Sequence, residues 1–331
     1  DVLLLEAGDR TGGMLFSEKL GGYLCEHAAA GMLDNVEDGG LALCRALGVE
    51  VAPASAAAKR RWIWMRGALH DVPTGPSGLF STELLSWKGK LRLACEPFIK
   101  AGPVPNESVT GFLRRRLGPE IADVFGSALV SGIFAGDASS LSFTAAFPAL
   151  AALEDKHGGI IKGFLAKRRE GGARPTMKLW APVHGMGALV DALARTLDGR
   201  LRTRTRVSAL EPGPEETIVR LADGETLGAR AVVLAVPPSA AQALLTPLDA
   251  GLGEILGAIP SANVVVVHVG IGRDEVAHSL EGFGFLVARR GELGCLGCVV
   301  DSTVWEGRAP AGYALLRLIY GGARDPELIN M

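Results

Sequence analysis

The sequence predicts an α/β protein, α+β overall. It comprises a nucleotide-type domain, a second domain built on a mixed sheet, and an inserted helical domain. Three observations predict this. The chain opens on DVLLLEAGDRTGG, an apolar strand ending in a carboxylate at Glu6 and followed by the pair Gly12-Gly13. From about Pro73 to Arg174 the apolar spacing is mostly helical. Beyond residue 260 come four strand-like runs, NVVVVHVGI, FGFLVA, LGCVV and ALLRLIYGG. A helical block between sheet segments argues against a single-layer domain.

Residues 2–6 read as a buried strand of a parallel sheet covered on both faces. Residues 21–33 read as a strand and then a loop, and 38–48 as a helix stopped by Gly48. The stretch 60–73 alternates around Arg66-Gly67, as a hairpin does. Residues 79–100 form one helical candidate; 108–136 hold two more, broken near Gly118-Pro119; 142–169 continue them. REGGARP, 169–175, is a polar, glycine-rich break. A helix follows over 184–197, then a hairpin of 202–212 and 217–227 turning at Asp223-Gly224, then a buried strand at 229–238 stopped by two prolines. The segments 1–65 and 198–237 thus form the nucleotide domain, 73–175 the helical domain, and 66–72, 176–197 and 238–331 the second sheet domain.

Composition removes several functions. With 331 residues, 48% of them hydrophobic, the chain can bury a large core. Its 34 basic and 36 acidic residues leave a formal charge of -2, which gives no reason to expect a nucleic-acid partner. Five scattered cysteines do not make a disulfide framework and favour a reducing compartment. Cys295 and Cys298 form one CxxC with no second ligand pair, so small apolar residues on a buried strand are the simpler reading. The six histidines show no metal spacing. No apolar run is long enough to span a bilayer.

LLEAGDRTGG resembles the flavoprotein amine-oxidase superfamily, in which a strand ends in Glu, with an Arg four residues on and then a glycine pair. Five further segments resemble the protoporphyrinogen oxidase family within it. They are RGALHDVPTGPSGL, RRLGPEIADVF, SGIFAGDASSLSF, FPALAALEDKHGGIIKG, and VVVVHVGI followed by EGFGFLV. The resemblance implies a Rossmann-like FAD-binding domain and oxidation of protoporphyrinogen IX to protoporphyrin IX, with oxygen as the expected acceptor. Its chemistry belongs to the flavin, so no catalytic triad or metal is expected. It also implies that the chain is the interior of a longer flavoprotein, lacking the GxGxxG turn and a terminal FAD segment. On that reading residues 1–331 alone do not hold FAD.

Carried onto this sequence, Glu6 would bind the adenosine ribose, with Arg10, Gly12 and Gly13 along the pyrophosphate. Val207 would meet the adenine through its backbone, and Ala235 would lie where a returning strand passes the nucleotide. Without the resemblance, both are ordinary core positions. On the substrate side, Phe283, Phe285 and Leu286 match the segment that sandwiches the macrocycle, and Gly132 and Gly136 flank Phe134 close to it. Packing alone would account for those glycines.

Two departures stand out. Ser77 occupies the position of an Arg that pairs a substrate propionate, and a serine cannot supply that charge. Arg66 or one of Lys59, Arg60 and Arg61 would then do so, or the propionate stays in solvent. Ala28-Ala29 replaces a Gly-Pro pair near the flavin ring, and Met14 replaces a basic residue. Coproporphyrinogen oxidation, which needs the same fold and flavin, stands as an alternative that Ser77 does not decide, and Ala28-Ala29 keeps non-catalytic tetrapyrrole binding open.

In the helical block, Leu79, Phe80, Leu84, Trp87, Leu91 and Phe98 interleave with Lys88, Lys90, Arg92 and Lys100. A helix packed on its own domain with a solvated basic face explains this pattern. The resemblance adds peripheral contact with the inner membrane of a cytoplasmic protein. It also leaves room for a homodimer.

Overall fold

A computed structural model describes residues 2–73, 76–102, 104–169, 178–288 and 293–330. The expected break at 169–175, and the domain boundary within it, lie almost wholly outside the described residues. So does the side chain of Ser77.

A six-stranded mixed sheet organises the molecule. Its strands run in the order Val264–Gly272, Tyr313–Gly321, Cys295–Val300, Gly284–Val287, Arg61–Met65 and Ala68–Asp71. All neighbours are antiparallel except Gly284–Val287 and Arg61–Met65, which run parallel. The four late strands and the 60–73 hairpin, read as separate units, thus form one sheet. Arg66 and Gly67 both have positive φ, 56° and 77°, giving the turn whose twist suits a two-residue hairpin.

Along Gly284–Val287, successive side chains point to opposite faces. Leu286 joins Ile63, Met65, Leu84, Val124, Ala128 and Ala288 beneath the helical block. Phe283 joins Ala58, Ala181, Val304 and Trp305 in a separate cluster. The helical block has its own core of Val109, Phe112, Val130, Phe143, Leu153 and Ile160, with the rings of Phe112 and Phe143 stacked. A buried ion network crosses it. Arg116 pairs with Glu96, both fully buried, and Glu96 also accepts from the N–H groups of Ile160 and Ile161 at 2.9 and 3.1 Å. Arg115 bridges Glu107 and Glu154 at 2.7 and 2.8 Å. Burial works to raise Glu154, but Arg115 and Arg116 beside it hold it below the usual carboxylate range.

Four expectations need correction. The candidate helix over 79–100 is three pieces: Pro76–Ser81, Trp87–Ala94 and the short 3-10 turn Glu96–Phe98. Ser86 caps the second by accepting from the Gly89 N–H at 3.2 Å, and Pro97 has no N–H with which to continue it. The 202–227 hairpin is a meander of Val207–Pro212, Thr217–Leu221 and Thr226–Ala229. Its first turn lies at 213–216, and Asp223-Gly224 makes the second. The opening strand is only Leu4–Leu5, parallel to Leu201–Arg202, and Val2, Leu3 and Leu4 are exposed rather than covered. Residues 230–237 form no strand, and Val233 is 89% exposed. In both places the apolar sequence is strand-like, but no further strand among the described residues pairs with it, and an unpaired backbone stays in water.

Candidate functional site

The first candidate region surrounds Glu6. Strand pairing places its backbone: the Glu6 N–H donates to the Arg202 carbonyl, and the Glu6 carbonyl accepts from the Thr205 N–H. Its half-buried carboxylate accepts from the Gly8 N–H at 2.6 Å through Oε1. The Arg10 guanidinium lies 4.3 Å from the Phe16 ring centre and donates to the carbonyls of Thr11 and Gly13. Gly12 has φ 96° and carries the close approach of this turn to the helix Gly187–Thr196: a Cβ there would sit 2.7 Å from Val190. At Gly13 a Cβ would meet nothing within 4 Å. A cleft of about 340 Å³ opens here, lined in part by Arg10, Thr11, Phe16, Val190 and Thr203. Arg10 shares this cleft with the carboxylates of Asp9 and Asp191, while Glu6, Gly12 and Gly13 do not line it, so the turn itself and not the cleft wall is the candidate ribose and phosphate segment. Val207 is half-buried and paired with Leu221 at the edge of the meander, and Ala235 is exposed. Neither lines that cleft.

A second set of groups, behind this region, carries no local signal in the sequence. Glu26 is buried at the end of the strand Tyr23–Glu26. It accepts from Ser17 Oγ at 2.6 Å and the Met186 N–H at 3.0 Å, and pairs with buried Arg308 at 2.8 Å. That pair joins positions 282 residues apart, so no spacing could reveal it. The Ala28 carbonyl accepts from Arg317 Nη1 at 2.6 Å, which ties the Ala28-Ala29 loop to the large sheet. Arg317 also lies 3.1 Å from Asp301. Burial pushes Asp301 up to about 6, against the pull of Arg317 and Arg308. His27 packs on Phe16, 4.8 Å between ring centres, and lies 3.1 Å from Glu18. His268, 6.3 Å from His27, is held below its usual range by burial, by Arg317 and by His27.

The third region is on the large sheet. Gly132, in the helix Ser127–Phe134, lies directly against Leu286, and a Cβ there would overlap the leucine side chain. Gly132 and Leu286, each expected near the macrocycle, are in direct contact with one another. Phe134 is exposed and packs edge-on against Phe147, while Gly136 is buried against Leu141. Phe285 faces Trp64, at 6.4 Å, on the side of the sheet opposite Leu286. The three residues Phe283, Phe285 and Leu286 thus do not form one wall. Arg61 lies 5.0 Å from the Phe283 ring centre. Beside it is a cavity of about 630 Å³, lined by Lys59, Arg60 and Arg61, by Leu69, Val72 and Pro73, and by Gly78 of the helix that carries Ser77. Cys295 and Cys298 are buried on the sheet, and burial pushes the Cys298 thiol up to about 12, so neither is a poised nucleophile. Among the described residues no cluster could hold a metal ion.

The chain is 28% identical to coproporphyrinogen III oxidase of Bacillus subtilis, covering 100% of this chain and 73% of that protein. It is 30% identical to the chloroplastic protoporphyrinogen oxidase of Nicotiana tabacum, covering 100% and 64%, and 32% identical to human protoporphyrinogen oxidase, covering 97% and 72%. The chain thus spans about two thirds to three quarters of these relatives' lengths. The crystal structure of a provisional protoporphyrinogen oxidase from Exiguobacterium superposes with a TM-score of 0.84 at 24% identity, covering 99% of this chain and 73% of that one. Putrescine oxidase superposes at 0.69 and 15%, covering 99% and 72%. These two likenesses establish the fold. The profile of the family described as "Flavin containing amine oxidoreductase" matches residues 1–331, and the chain belongs to that family.

Proposed function

We propose that the protein is an FAD-dependent oxidase of a porphyrinogen, converting protoporphyrinogen IX to protoporphyrin IX. The supporting observation is similarity along essentially the whole chain to enzymes named for two porphyrinogens, at 28–32% identity. FAD, when bound, supplies the acceptor for the hydride that leaves the macrocycle. The chain's own residues position and shield. Glu6 would hold the ribose hydroxyls. The turn at Gly12-Gly13 would present backbone N–H groups to phosphate, with Arg10 held beside it by Phe16. Arg317, through Ala28, would fix the loop facing the ring. Gly132 lets the helix Ser127–Phe134 sit directly on Leu286, so this pair would shape the wall behind a tetrapyrrole and not its contact face.

Coproporphyrinogen III is the alternative substrate. The similarity to coproporphyrinogen III oxidase of Bacillus subtilis supports it. The deciding experiment incubates the full-length, flavin-loaded protein with each porphyrinogen separately and follows porphyrin fluorescence. Turnover of protoporphyrinogen at about tenfold or more over coproporphyrinogen supports the main reading, and the reverse ratio replaces it. A flavin-loaded protein that oxidises neither would overturn both.

The helical block supports peripheral membrane contact. No described helix is long and apolar enough to cross a membrane. Phe80, Trp87, Leu91 and Phe98 are nevertheless exposed, Phe98 by 89%, beside exposed Lys88 and Lys100. Leu84, by contrast, is 2% exposed and belongs to the core. A ring-and-lysine surface of this kind suits an anionic lipid interface. The protein is expected to float with anionic vesicles, and Trp87→Ala with Phe98→Ala to reduce the bound fraction several-fold. Recovery entirely at the bottom of the gradient, with any lipid, would remove the membrane role.

A further inference from the structure

We propose that Arg61, stacked on Phe283 beside the 630 Å³ cavity, is the cation that takes a carboxylate of the tetrapyrrole. The assignment rests on the porphyrinogen reading and adds the anchoring residue that Ser77 cannot be.

Arg60, Arg61 and Lys59 all line the cavity, but they are not equivalent. Arg60 is already committed: its Nη2 reaches both oxygens of Asp71, at 3.1 and 3.0 Å. A guanidinium so engaged would have to break that pair to receive a ligand. Arg66 sits at the hairpin turn and is not in the cavity wall. Lys59 is exposed on a flexible stem at the end of a 3-10 turn, with one ammonium group and no fixed orientation. Arg61 is exposed and makes no ion pair among the described residues. Its guanidinium is instead held 5.0 Å from the Phe283 ring centre. An aromatic face orients the planar group without using its N–H donors. Those donors are then available for two parallel bonds to a carboxylate, the strongest geometry a carboxylate can find.

The surroundings match a carboxylate on an apolar body. Leu69, Val72 and Pro73 give the cavity an apolar wall, and Gly78 packs directly on Pro73. Two acidic residues line the same cavity. Asp71 is neutralised by Arg60, and Glu83, largely exposed, lies 3.5 Å from His70. Neither competes for Arg61. An incoming carboxylate therefore meets one oriented guanidinium that makes no ion pair among the described residues.

The test separates the charge from the ring system. Protoporphyrin IX and its dimethyl ester share the macrocycle, and the ester replaces both carboxylates with neutral methyl esters, so the comparison is read as the change each Arg61 variant makes to the diacid relative to the ester. Their affinities for the full-length, flavin-loaded protein are read from porphyrin fluorescence, for the wild type, Arg61→Met and Arg61→Lys. Methionine keeps an unbranched side chain on Phe283 and removes the charge. Arg61→Met is expected to weaken the diacid about tenfold while leaving the ester unchanged. Arg61→Lys should recover part of the diacid affinity. Equal losses for diacid and ester would show a packing role and overturn the assignment. So would a wild type that binds both equally, although the tetrapyrrole reading would stand. A wild type that binds neither overturns that reading, and Arg61 with it.

Discussion

Replacing Glu96 with Gln is expected to lower the unfolding free energy by about 3–5 kcal/mol, the cost of stranding a buried charge. Arg116 and Glu96 are both fully buried within the helical block. The Arg116 Nη1 group donates to the Ile99 carbonyl at 3.0 Å, and Nη2 to the Gly158 carbonyl at 3.0 Å. Glu96 also satisfies the first N–H groups of the helix Ile160–Arg169. Glutamine keeps the shape and one acceptor but removes the charge that answers Arg116. Glu154 stands 3.6 Å from Arg116, so part of the loss is shared, and the lower end of the range is expected. Arg220→Ala makes the informative contrast. That residue meets Glu211 at 2.5 and 2.9 Å, yet both side chains are half exposed. Water already solvates the pair, so its loss should leave the urea midpoint close to that of the wild type. Urea unfolding of the two variants measures both. Similar small losses would show that the Glu96 network is a solvated surface feature in solution.

The same contrast explains what the sequence disclosed. Elements whose cause is local were legible. The Arg66-Gly67 turn, the break at Gly118-Pro119 and the strands Gly284–Val287 and Tyr313–Gly321 all follow from turn chemistry or period within a few residues. The apolar run 229–238 misled because strand character needs a partner, and nothing within the run states whether one is present. Asp223-Gly224 does mark a turn, but a second turn at 213–216 lies one strand earlier, and GPEE there carries a weaker hairpin signal. At the candidate site, Glu6, Arg10, Gly12 and Gly13 came together because they are contiguous. Gly132 and Leu286 met because the resemblance, not periodicity, linked two distant segments. Glu26 with Arg308, and Ala28 with Arg317, were illegible, since each pair is made only when the sheet closes on the first forty residues. Period-two alternation separates Leu286 from Phe283 and Phe285 in the sequence itself.

Gly12→Val is expected to weaken FAD binding by about a hundredfold or more, roughly 2.7 kcal/mol. The proposed phosphate turn allows no side chain there. A Cβ would lie 2.7 and 2.8 Å from the two Val190 methyls and 3.0 Å from the Leu15 carbonyl. Its φ of 96° adds strain of about 1–3 kcal/mol for any L residue. The turn must therefore move away from the helix Gly187–Thr196. Arg10, which donates to the Gly13 carbonyl, would move with it. Valine thus displaces the cation and the backbone N–H groups together. Gly13→Ala tests whether strain alone suffices. Its φ of 54° costs about 1–2 kcal/mol in the left-handed region, but its Cβ meets open space. The neighbouring helix stays in place, so FAD should weaken less than about tenfold. Flavin absorbance per protein and FAD titration give both numbers, with circular dichroism confirming that each variant folds. A folded Gly12→Val protein that keeps wild-type FAD affinity would place the pyrophosphate elsewhere and remove Arg10 from the site. If both variants lose FAD equally, crowding against Val190 is irrelevant and the turn's left-handed backbone is what the cofactor reads.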